Sequence, residues 1–458
     1  MADKTHSVDI LIIGTGSGTH ILNDIPHNKT VAIIEKGEAG GTCLTRGCIP
    51  SKILIHSADV AEQIAHAKKF GLNAKVSSID FKTITSKATH KVLGSSRNIE
   101  KNLQSLKNVK YFKGFAEFIG DRTIKVGSNI VRAEKVLIAT GARPTIPNIP
   151  GLDSVKYWTS TEALRATKQP KSMIVLGGGY IATELAHFYG ALGTDITMIQ
   201  RSDVLMSRED REVSELLTKT FSEKYTILTN SETKKVWQKG KKIFVEVKTK
   251  KGKKTISAEA LLVATGVTPN SELHLEKTGV RTNTKGFIQV NEFLEAGKNI
   301  WALGDVIGTF MLKHSANYEA EVISENLLFG KQKRRDYTAM PYAVFTSPQI
   351  AGVGESEEEL QEKGLHYVVG RHEYIKTGMG LALQDEDGFV KILVDPKTRK
   401  ILSCRVVGEQ ASTLIHEVLV VMRNNLTVDA IENTIHIHPA LSEVVQRAVW
   451  NIDWDHEY

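Results

Sequence analysis

Cys43 and Cys48 have four residues between them in Gly40-Gly-Thr-Cys-Leu-Thr-Arg-Gly-Cys-Ile-Pro-Ser-Lys52, just before a helix that Pro50 can start. Thiols at this spacing can close a small disulfide ring, and a thiolate at a helix N-terminus is stabilised by the exposed N–H groups. The pair therefore reads as a redox centre. Two structural cysteines, or half of a zinc site, are the alternatives. The third cysteine, Cys404, lies far away in Leu402-Ser-Cys-Arg405 with no histidine at ligand spacing, so a zinc site lacks its other ligands and no metal is expected. An inert pair would have no use for Gly40, Gly41 and Gly47, or for the polar Thr42, Ser51 and Lys52, packed around it.

Such a pair needs an electron source, and the chain carries two copies of one nucleotide-binding pattern. The apolar run Val8–Ile13 leads into Gly14-Thr-Gly16-Ser-Gly18-Thr19, and a second run, Thr30–Ile34, ends in Glu35. Glycines at a strand-to-helix turn let the backbone approach a pyrophosphate, and the acidic residue can accept hydrogen bonds from an adenosine ribose. Thr19 occupies the third glycine position, so helix and strand are expected to stand slightly further apart there. The pattern returns at Ser172-Met-Ile-Val-Leu-Gly177-Gly-Gly179-Tyr180-Ile-Ala-Thr-Glu184, followed by the strand Asp195–Ile199. One glycine fingerprint is often a chance match; two, each after an apolar strand and before a helical pattern, imply two dinucleotide-binding domains. The second copy ends in Gln200-Arg201, where an arginine can pair with a 2′-phosphate that a carboxylate would repel, so this domain is expected to prefer NADPH over NADH.

Three more apolar strands end in small residues, at Thr140-Gly141, Thr265-Gly266 and Gly304-Asp305, as suits strands returning to a sheet beneath a cofactor. Pro144, Pro147 and Pro150 mark a linker between the nucleotide domains. The expected division is residues 1–150 for the first nucleotide domain, 151–268 for the second, 269–335 for a return to the first, and 336–458 for a third domain of mixed α and β structure. In this last part Tyr342–Phe345, Gly364–Val369 and Phe389–Val394 read as strands and Leu414–Asn425 as a helix. The fold class is α/β: two Rossmann-like dinucleotide-binding domains followed by an α+β domain.

Composition narrows the partners. Three cysteines in 458 residues argue against a disulfide-built secreted scaffold. No run reaches the length of a membrane span and the N-terminus lacks a signal-peptide pattern, so a cytoplasmic location without a membrane partner is expected. The net charge of +7 raises nucleic acid as a partner, but the densest basic stretch, Lys239–Lys254, alternates Ile243, Val245 and Val247 with polar residues and reads as a hairpin with one solvated face. No nucleic-acid partner is expected.

The two nucleotide patterns, the Cys43–Cys48 pair and the terminal His438-Pro-Ala-Leu-Ser-Glu443 together resemble the pyridine nucleotide-disulfide oxidoreductases, over essentially the whole chain. The resemblance implies FAD in the first domain, a nicotinamide nucleotide in the second, and a C-terminal domain that builds a homodimer. It implies that Gly14, Gly16 and Glu35 hold the ADP half of FAD, with Thr42, Thr140, Gly141 and Gly266 along the cofactor. Gly114 would lie on the adenine side, Asp305 at the ribityl chain, and Lys52 near the flavin and paired with Glu184. Gly177, Gly179, Gln200 and Arg201 would hold the nicotinamide nucleotide. Cys48 would face the flavin as a thiolate and Cys43 would attack the substrate disulfide. His438 would be the acid and base, oriented by Glu443 and acting on the disulfide of the opposite subunit. Only His438 starts the His-Pro-x-x-x-Glu pattern, so His436 is read as structural.

Tyr180 resembles the aromatic gate over the nicotinamide pocket in the family's NADPH-consuming reductases. Together with Gln200-Arg201 it points to a reductase of a low-molecular-weight thiol disulfide, similar to mycothione or glutathione reductases. Leu312-Lys-His-Ser-Ala-Asn-Tyr-Glu319 adds to the likeness to mycothione reductases. The cysteine and histidine motifs suit dihydrolipoamide dehydrogenases equally, and oxidation of dihydrolipoyl groups with NAD is the alternative. Mercuric reductases and high-molecular-weight thioredoxin reductases would require further cysteines near the C-terminus, and 450–458 holds none. A flavin-binding interaction protein with a decayed site is the alternative of another class, and the full set of site residues argues against it.

Overall fold

The computed structural model describes residues 3–458. Its largest sheet has eight strands. Lys4–Ile13 pairs in parallel with Val31–Glu35 on one side and Asn129–Ile138 on the other, Val109–Lys113 extends the first edge, and Ile300–Ala302 joins beyond Asn129–Ile138. Leu11, Ile12, Ile33, Val136 and Leu137 are fully buried. Continuous apolar runs rather than alternation are what a parallel sheet covered on both faces requires. All parallel strands point their carboxyl ends the same way, so the first fingerprint, Glu35, Thr140 and Asp305 emerge along one rim.

The second copy forms its own parallel sheet, ordered Thr226–Leu228, Asp195–Ile199, Ser172–Leu176, Ala260–Val263. The basic stretch is the centre of a three-stranded antiparallel meander, Glu232–Lys239, Lys242–Thr249 and Gly252–Ala258, one strand more than the expected hairpin. Its Ile243, Val245 and Val247 are buried against Ile174, Leu176 and Leu261 of the parallel sheet. The lysines are left on the solvent side. Pro144, expected in a linker, lies in a short strand, Ala142–Pro144, paired with Val267–Pro269 where the chain leaves the second unit again. Entry and exit are thus clamped side by side.

The C-terminal part is a five-stranded antiparallel sheet ordered Pro341–Val344, Ile350–Gly354, Ile401–Val407, Phe389–Val394, Val368–Glu373, packed on helices Ala411–Arg423 and Glu443–Trp450. The strand expected over 364–369 starts only at Val368, because Gly364 sits in the turn that closes helix Glu357–Glu362. Buried ion pairs join this part to the second nucleotide unit: Arg405 to Glu209 at 2.6 Å and Lys391 to Asp210 at 2.8 Å. Losing one partner would leave a buried charge at a cost of about 3–5 kcal/mol, which holds the two units in one relative position. Among the described residues, no helix is long and apolar enough to cross a membrane.

Candidate active site

Both fingerprints turn on a glycine that no other residue could replace without strain. Gly14 has φ +103° and Gly177 φ +117°. A Cβ at residue 14 would sit 2.4 Å from the Ala139 carbonyl oxygen, and one at residue 177 would sit 2.3 Å from that of Ala264. The continuations differ. Gly179 caps the α-helix Tyr180–Ala191, whereas Gly16 leads into a 3-10 helix, Ser17–Asn23. The expectation drawn from Thr19 is corrected here. Gly18 makes the close approach, since a Cβ there would lie 2.5 Å from the Ala139 Cβ, and Thr19 Oγ1 donates to the Gly16 carbonyl at 2.9 Å without spreading helix and strand.

Thr15 ties the first fingerprint to its surroundings. Its N–H and hydroxyl donate to Glu35 Oε2 at 3.0 and 2.6 Å, Gly37 N donates to Glu35 Oε1 at 2.7 Å, and Gly40 N donates to the Thr15 hydroxyl at 3.0 Å. Gly40 begins the cysteine loop. Gly41 follows with its Cα backed onto Gly16, where a Cβ on residue 41 would come within 2.6 Å of the Gly16 Cα. The redox loop and the nucleotide turn are therefore in direct backbone contact.

Cys43 lies on the short helix Gly41–Arg46, and Cys48 is the first residue of the long helix Cys48–His66, two residues ahead of the start expected at Pro50. Both are free thiols. A hydrogen bond from Cys43 lowers the Cys48 thiol to about 7, with burial opposing it and the Lys52 charge assisting. The same bond, then burial, pushes Cys43 up, and the Lys313 charge opposes that rise. One proton thus serves two sulfurs, and the negative charge settles first on Cys48.

Lys52, one turn along from Cys48, has its ammonium 2.7 Å from each carboxylate oxygen of Glu184 on the second fingerprint helix. Glu184 also accepts from Phe345 N at 3.0 Å, and the Lys52 ammonium lies 4.4 Å from the centre of the Phe345 ring. First unit, second unit and C-terminal part meet at this one carboxylate. Tyr180 opens the same helix. Its hydroxyl is pushed up to about 12, first by desolvation and then by the charges of Asp305, Glu184 and Cys48, with which it lines one cleft.

A cleft of about 930 Å³ runs through these residues. It is lined by Gly14, Gly16, Glu35, Thr42, Cys43, Cys48, Lys52, Gly114, Thr140, Gly141, Tyr180, Glu184, Gly266 and Asp305. Thr140 and Gly141 are held by Asn270, which accepts from the Thr140 hydroxyl at 2.7 Å and donates to the Thr140 and Gly141 carbonyls at 2.9 Å each. Beneath Asp305, Glu319 is fully buried, accepting from Gly304 N at 2.6 Å and from the Tyr337 hydroxyl at 2.7 Å. Burial pushes its carboxyl up to about 7. The residues fit FAD: Gly14 and Gly16 put no side chain at the turn a pyrophosphate would approach, a carboxylate stands at the end of the next strand for ribose hydroxyls, and the volume suits a dinucleotide.

Other expected residues lie outside this lining. Gly177, Gly179, Gln200 and Arg201 belong to the far side of the second fingerprint. Gln200 packs over Gly178 and its side-chain oxygen accepts from Arg201 N at 3.2 Å, while the Arg201 side chain is exposed. His438 and Glu443 form their own pair, Nδ1 to Oε1 at 2.9 Å, with Ala440 N donating to Glu443 Oε2 at 3.1 Å. The His438 bond holds the Glu443 carboxyl below its usual range. Glu443 is 8% exposed and His438 75%, so the carboxylate is fixed and the imidazole projects outward. Around it Ile435 is 97% and Ile437 77% exposed. His436 differs: it is buried, bonded to Glu417 at 2.7 Å and to the Thr434 carbonyl at 2.9 Å.

Reading the sequence missed Thr15, Asn270 and Lys313. Lys313 had a signal, a cation following the apolar Phe310-Met-Leu312 at the start of a helix, where positive charge is disfavoured. Among the described residues, no group of three or more His, Cys, Asp and Glu side chains is arranged to hold a metal ion.

Residues 8–320 match the family described as pyridine nucleotide-disulphide oxidoreductase, and residues 340–449 match the dimerisation domain of that family. A mycothione reductase of Mycobacterium tuberculosis is 33% identical over 96% of this chain and 98% of its own length. A mercuric reductase of Bacillus cereus is 33% identical over 99% of this chain and 73% of its own length. A dihydrolipoyl dehydrogenase of Geobacillus stearothermophilus is 31% identical, covering 98% and 97%. Among solved structures, the HOCl-induced flavoprotein disulfide reductase RclA of Escherichia coli, in its Cu(II) complex, superposes with a TM-score of 0.86 at 26% identity, covering 97% of this chain and 99% of that one. The chain belongs to the pyridine nucleotide-disulphide oxidoreductases, a family of enzymes dependent on FAD and a pyridine nucleotide, and it carries the family's dimerisation domain.

Proposed function

We propose that this member of the family is a cytoplasmic, homodimeric reductase that uses NADPH to reduce a low-molecular-weight thiol disulfide. The observation that carries the reading is the coupled thiol pair in the cleft, with Cys48 held at about 7 and tied through Lys52 and Glu184 to the nicotinamide-side helix. Tyr180 in the same cleft and the exposed Arg201 support NADPH.

FAD, when bound, supplies two-electron transfer between a nicotinamide and a disulfide. The rest is done by side chains. Gly14 and Gly16 would leave room for its pyrophosphate, Glu35 would accept from its ribose, Gly114 and Asp305 would serve its adenine and ribityl ends, and Lys52, paired with Glu184, would lie near its flavin. In the reduced pair Cys48 holds negative charge beside Lys52. His438, which reaches the pair of the partner subunit, takes the proton from Cys43; Cys43 Sγ then bonds to one sulfur of the substrate, the substrate S–S bond breaks, and the leaving sulfur takes the electron pair and that proton. Cys48 Sγ then bonds to Cys43 Sγ and expels the second sulfur as a thiolate, which is protonated in turn. One NADPH and one proton convert one disulfide into two thiols. Glu443 keeps the His438 ring oriented and favours its charged form.

A steady-state panel tests the reading: NADPH and NADH against glutathione disulfide, coenzyme A disulfide, cystine-type and mycothiol-type disulfides and lipoamide. NADPH oxidation with a small disulfide is expected, and Cys43→Ser should abolish turnover while NADPH still bleaches the flavin. Dihydrolipoamide with NAD as the best couple would establish the dehydrogenase instead, and a colourless protein that oxidises neither nicotinamide would point to an interaction protein.

A further inference from the structure

The basic stretch contributes nothing to the lining of the cleft, yet it holds the charge of the whole chain. Between Glu232 and Lys254 there are ten lysines against two glutamates, a surplus of eight positive charges in a chain whose net charge is +7, so the rest of the molecule is close to neutral. The net positive field of the protein therefore originates in one small sheet. Little of that charge is quenched. Lys234 pairs with Glu232 at 2.5 Å and Lys253 with Glu246 at 3.2 Å, and among the described residues Lys248, Lys250, Lys251 and Lys254 make no ion pair. Lys248 also stands directly opposite Lys253, and like charges so placed oppose strand pairing.

Connectivity fixes where the charge sits. Thr226–Leu228 and Asp195–Ile199 are parallel neighbours, and beyond their carboxyl ends the chain is stitched to the turn that carries Arg201. Asn230 N donates to the Ser202 carbonyl at 2.8 Å and Ser231 N to the Gln200 carbonyl at 2.9 Å, on either side of that arginine. The meander starts with the next residue, Glu232. Its register carries this end across the sheet, Glu232 opposite Lys248 and Lys248 opposite Lys253, with Lys250 and Lys251 in the turn that closes it. Lys248, Lys250, Lys251 and Lys253 are all exposed. Asp203, two residues from Arg201, is already paired with Arg211 at 2.8 Å and does not offset them. The opposite end, the Lys239–Lys242 hairpin, lies the length of an eight-residue strand away, about 25 Å.

We propose that the Lys248–Lys253 end of the meander is an electrostatic guide for the nicotinamide nucleotide, drawing the anionic dinucleotide from solution toward Arg201 and the second fingerprint without itself holding it. Charges outside contact range change how often a ligand arrives far more than how long it stays. Lysine suits the task, since a mobile point charge needs no exact geometry. NADPH carries one phosphate more than NADH, so the pull on it is greater and adds to the discrimination made by Arg201. The inference rests on placing the nucleotide at Gln200 and Arg201.

Stopped-flow mixing of full-length, FAD-loaded enzyme with NADP+, which the oxidised flavin cannot reduce, tests this through the change in flavin absorbance, giving kon and koff over a salt series. At an ionic strength of about 0.05 M, where screening acts over roughly 10–30 Å, the triple variant Lys248→Gln, Lys250→Gln, Lys251→Gln should lower kon about fivefold and leave koff within about twofold. The triple variant Lys239→Gln, Lys241→Gln, Lys242→Gln removes the same charge from the far end and should lower kon less than about twofold. At about 0.5 M salt the three proteins should agree. An unchanged kon in the first variant, or equal losses in both, overturns the proposal. So does a raised koff with kon intact, which would make these lysines direct nucleotide ligands. Retention of a labelled oligothymidylate by the wild type and not by the first variant, with kon for NADP+ unchanged, also overturns it and would assign the face to nucleic acid. If the first variant does not accumulate, Lys250→Gln with Lys251→Gln, confined to the turn, is read by the same criteria. NAD+ run in parallel separates the two readings. Tighter binding of NAD+ than of NADP+, with its kon still lowered in the first variant, removes only the preference for NADPH, and preferred NADP+ with an unchanged kon removes only the guide.

Discussion

The two fingerprints obey the same backbone rule and are put to different uses. At Gly14 and at Gly177 the chain takes a positive φ and passes so close to a neighbouring carbonyl that a Cβ would collide with it. Beyond that glycine the copies part. The first is enclosed: Gly16 lies against Gly41 of the cysteine loop, and Glu35 is gripped by Thr15 and Gly37. The second ends in Gln200 and an exposed Arg201. A turn built by steric necessity can be duplicated, whereas the charge at the end of the next strand is free to vary and selects the nucleotide.

Breaking each turn separately should have the largest effect. An alanine in either place meets a carbonyl oxygen and an unfavourable φ, a strain of about 1–3 kcal/mol before the collision is counted. Gly14→Ala is expected to yield protein without flavin and without any activity, read as lost visible absorbance. Gly177→Ala should stay yellow and lose reduction by NADPH. Two variants with the same phenotype would end the division of labour between the copies.

Charge at the second copy should matter next. Arg201→Glu is expected to raise the KM for NADPH about tenfold and to change that for NADH less than twofold, since only the 2′-phosphate loses its partner. Equal changes for both would remove Arg201 from the nucleotide site.

The smallest effect concerns Glu319, the buried acid beneath Gly304 and Asp305 on the first nucleotide's side of the cleft. Its carboxyl is raised from 4.5 to about 7 by burial, so the folded protein favours the neutral form. Its contribution is full below about pH 4.5 and is lost as pH rises through about 7, a change on the order of 1–3 kcal/mol. Glu319→Gln should remove this slope. Thermal unfolding across that range should show the wild type losing stability relative to the variant as pH rises, and parallel curves would refute the assignment.

Much of this was legible along the chain, because some constraints act between near neighbours. Fingerprint glycines, apolar runs without alternation and a cysteine pair at a helix start all announce themselves locally. Where expectation and structure differ, the deciding contact is distant. Thr19 looked like a spacer, but the approach of helix to strand is set at Gly18 by Ala139. Pro144 looked like linker, but its strand partner lies beyond the second unit. Lys313 could be noticed but not placed, since Ser17 and the cysteines lie at the other end of the first unit's sequence.

The sequence alone therefore determined which residue types recur and which backbone shapes they demand, since φ preference, helix polarity and strand periodicity act over a few residues. Tertiary structure decided how charge is shared: which lysine a carboxylate neutralises, which sulfur keeps the proton, and that His438 faces outward while Glu443 is held. Those outcomes depend on distance and desolvation between segments far apart in the chain, and a Coulomb interaction has no magnitude until the fold supplies both.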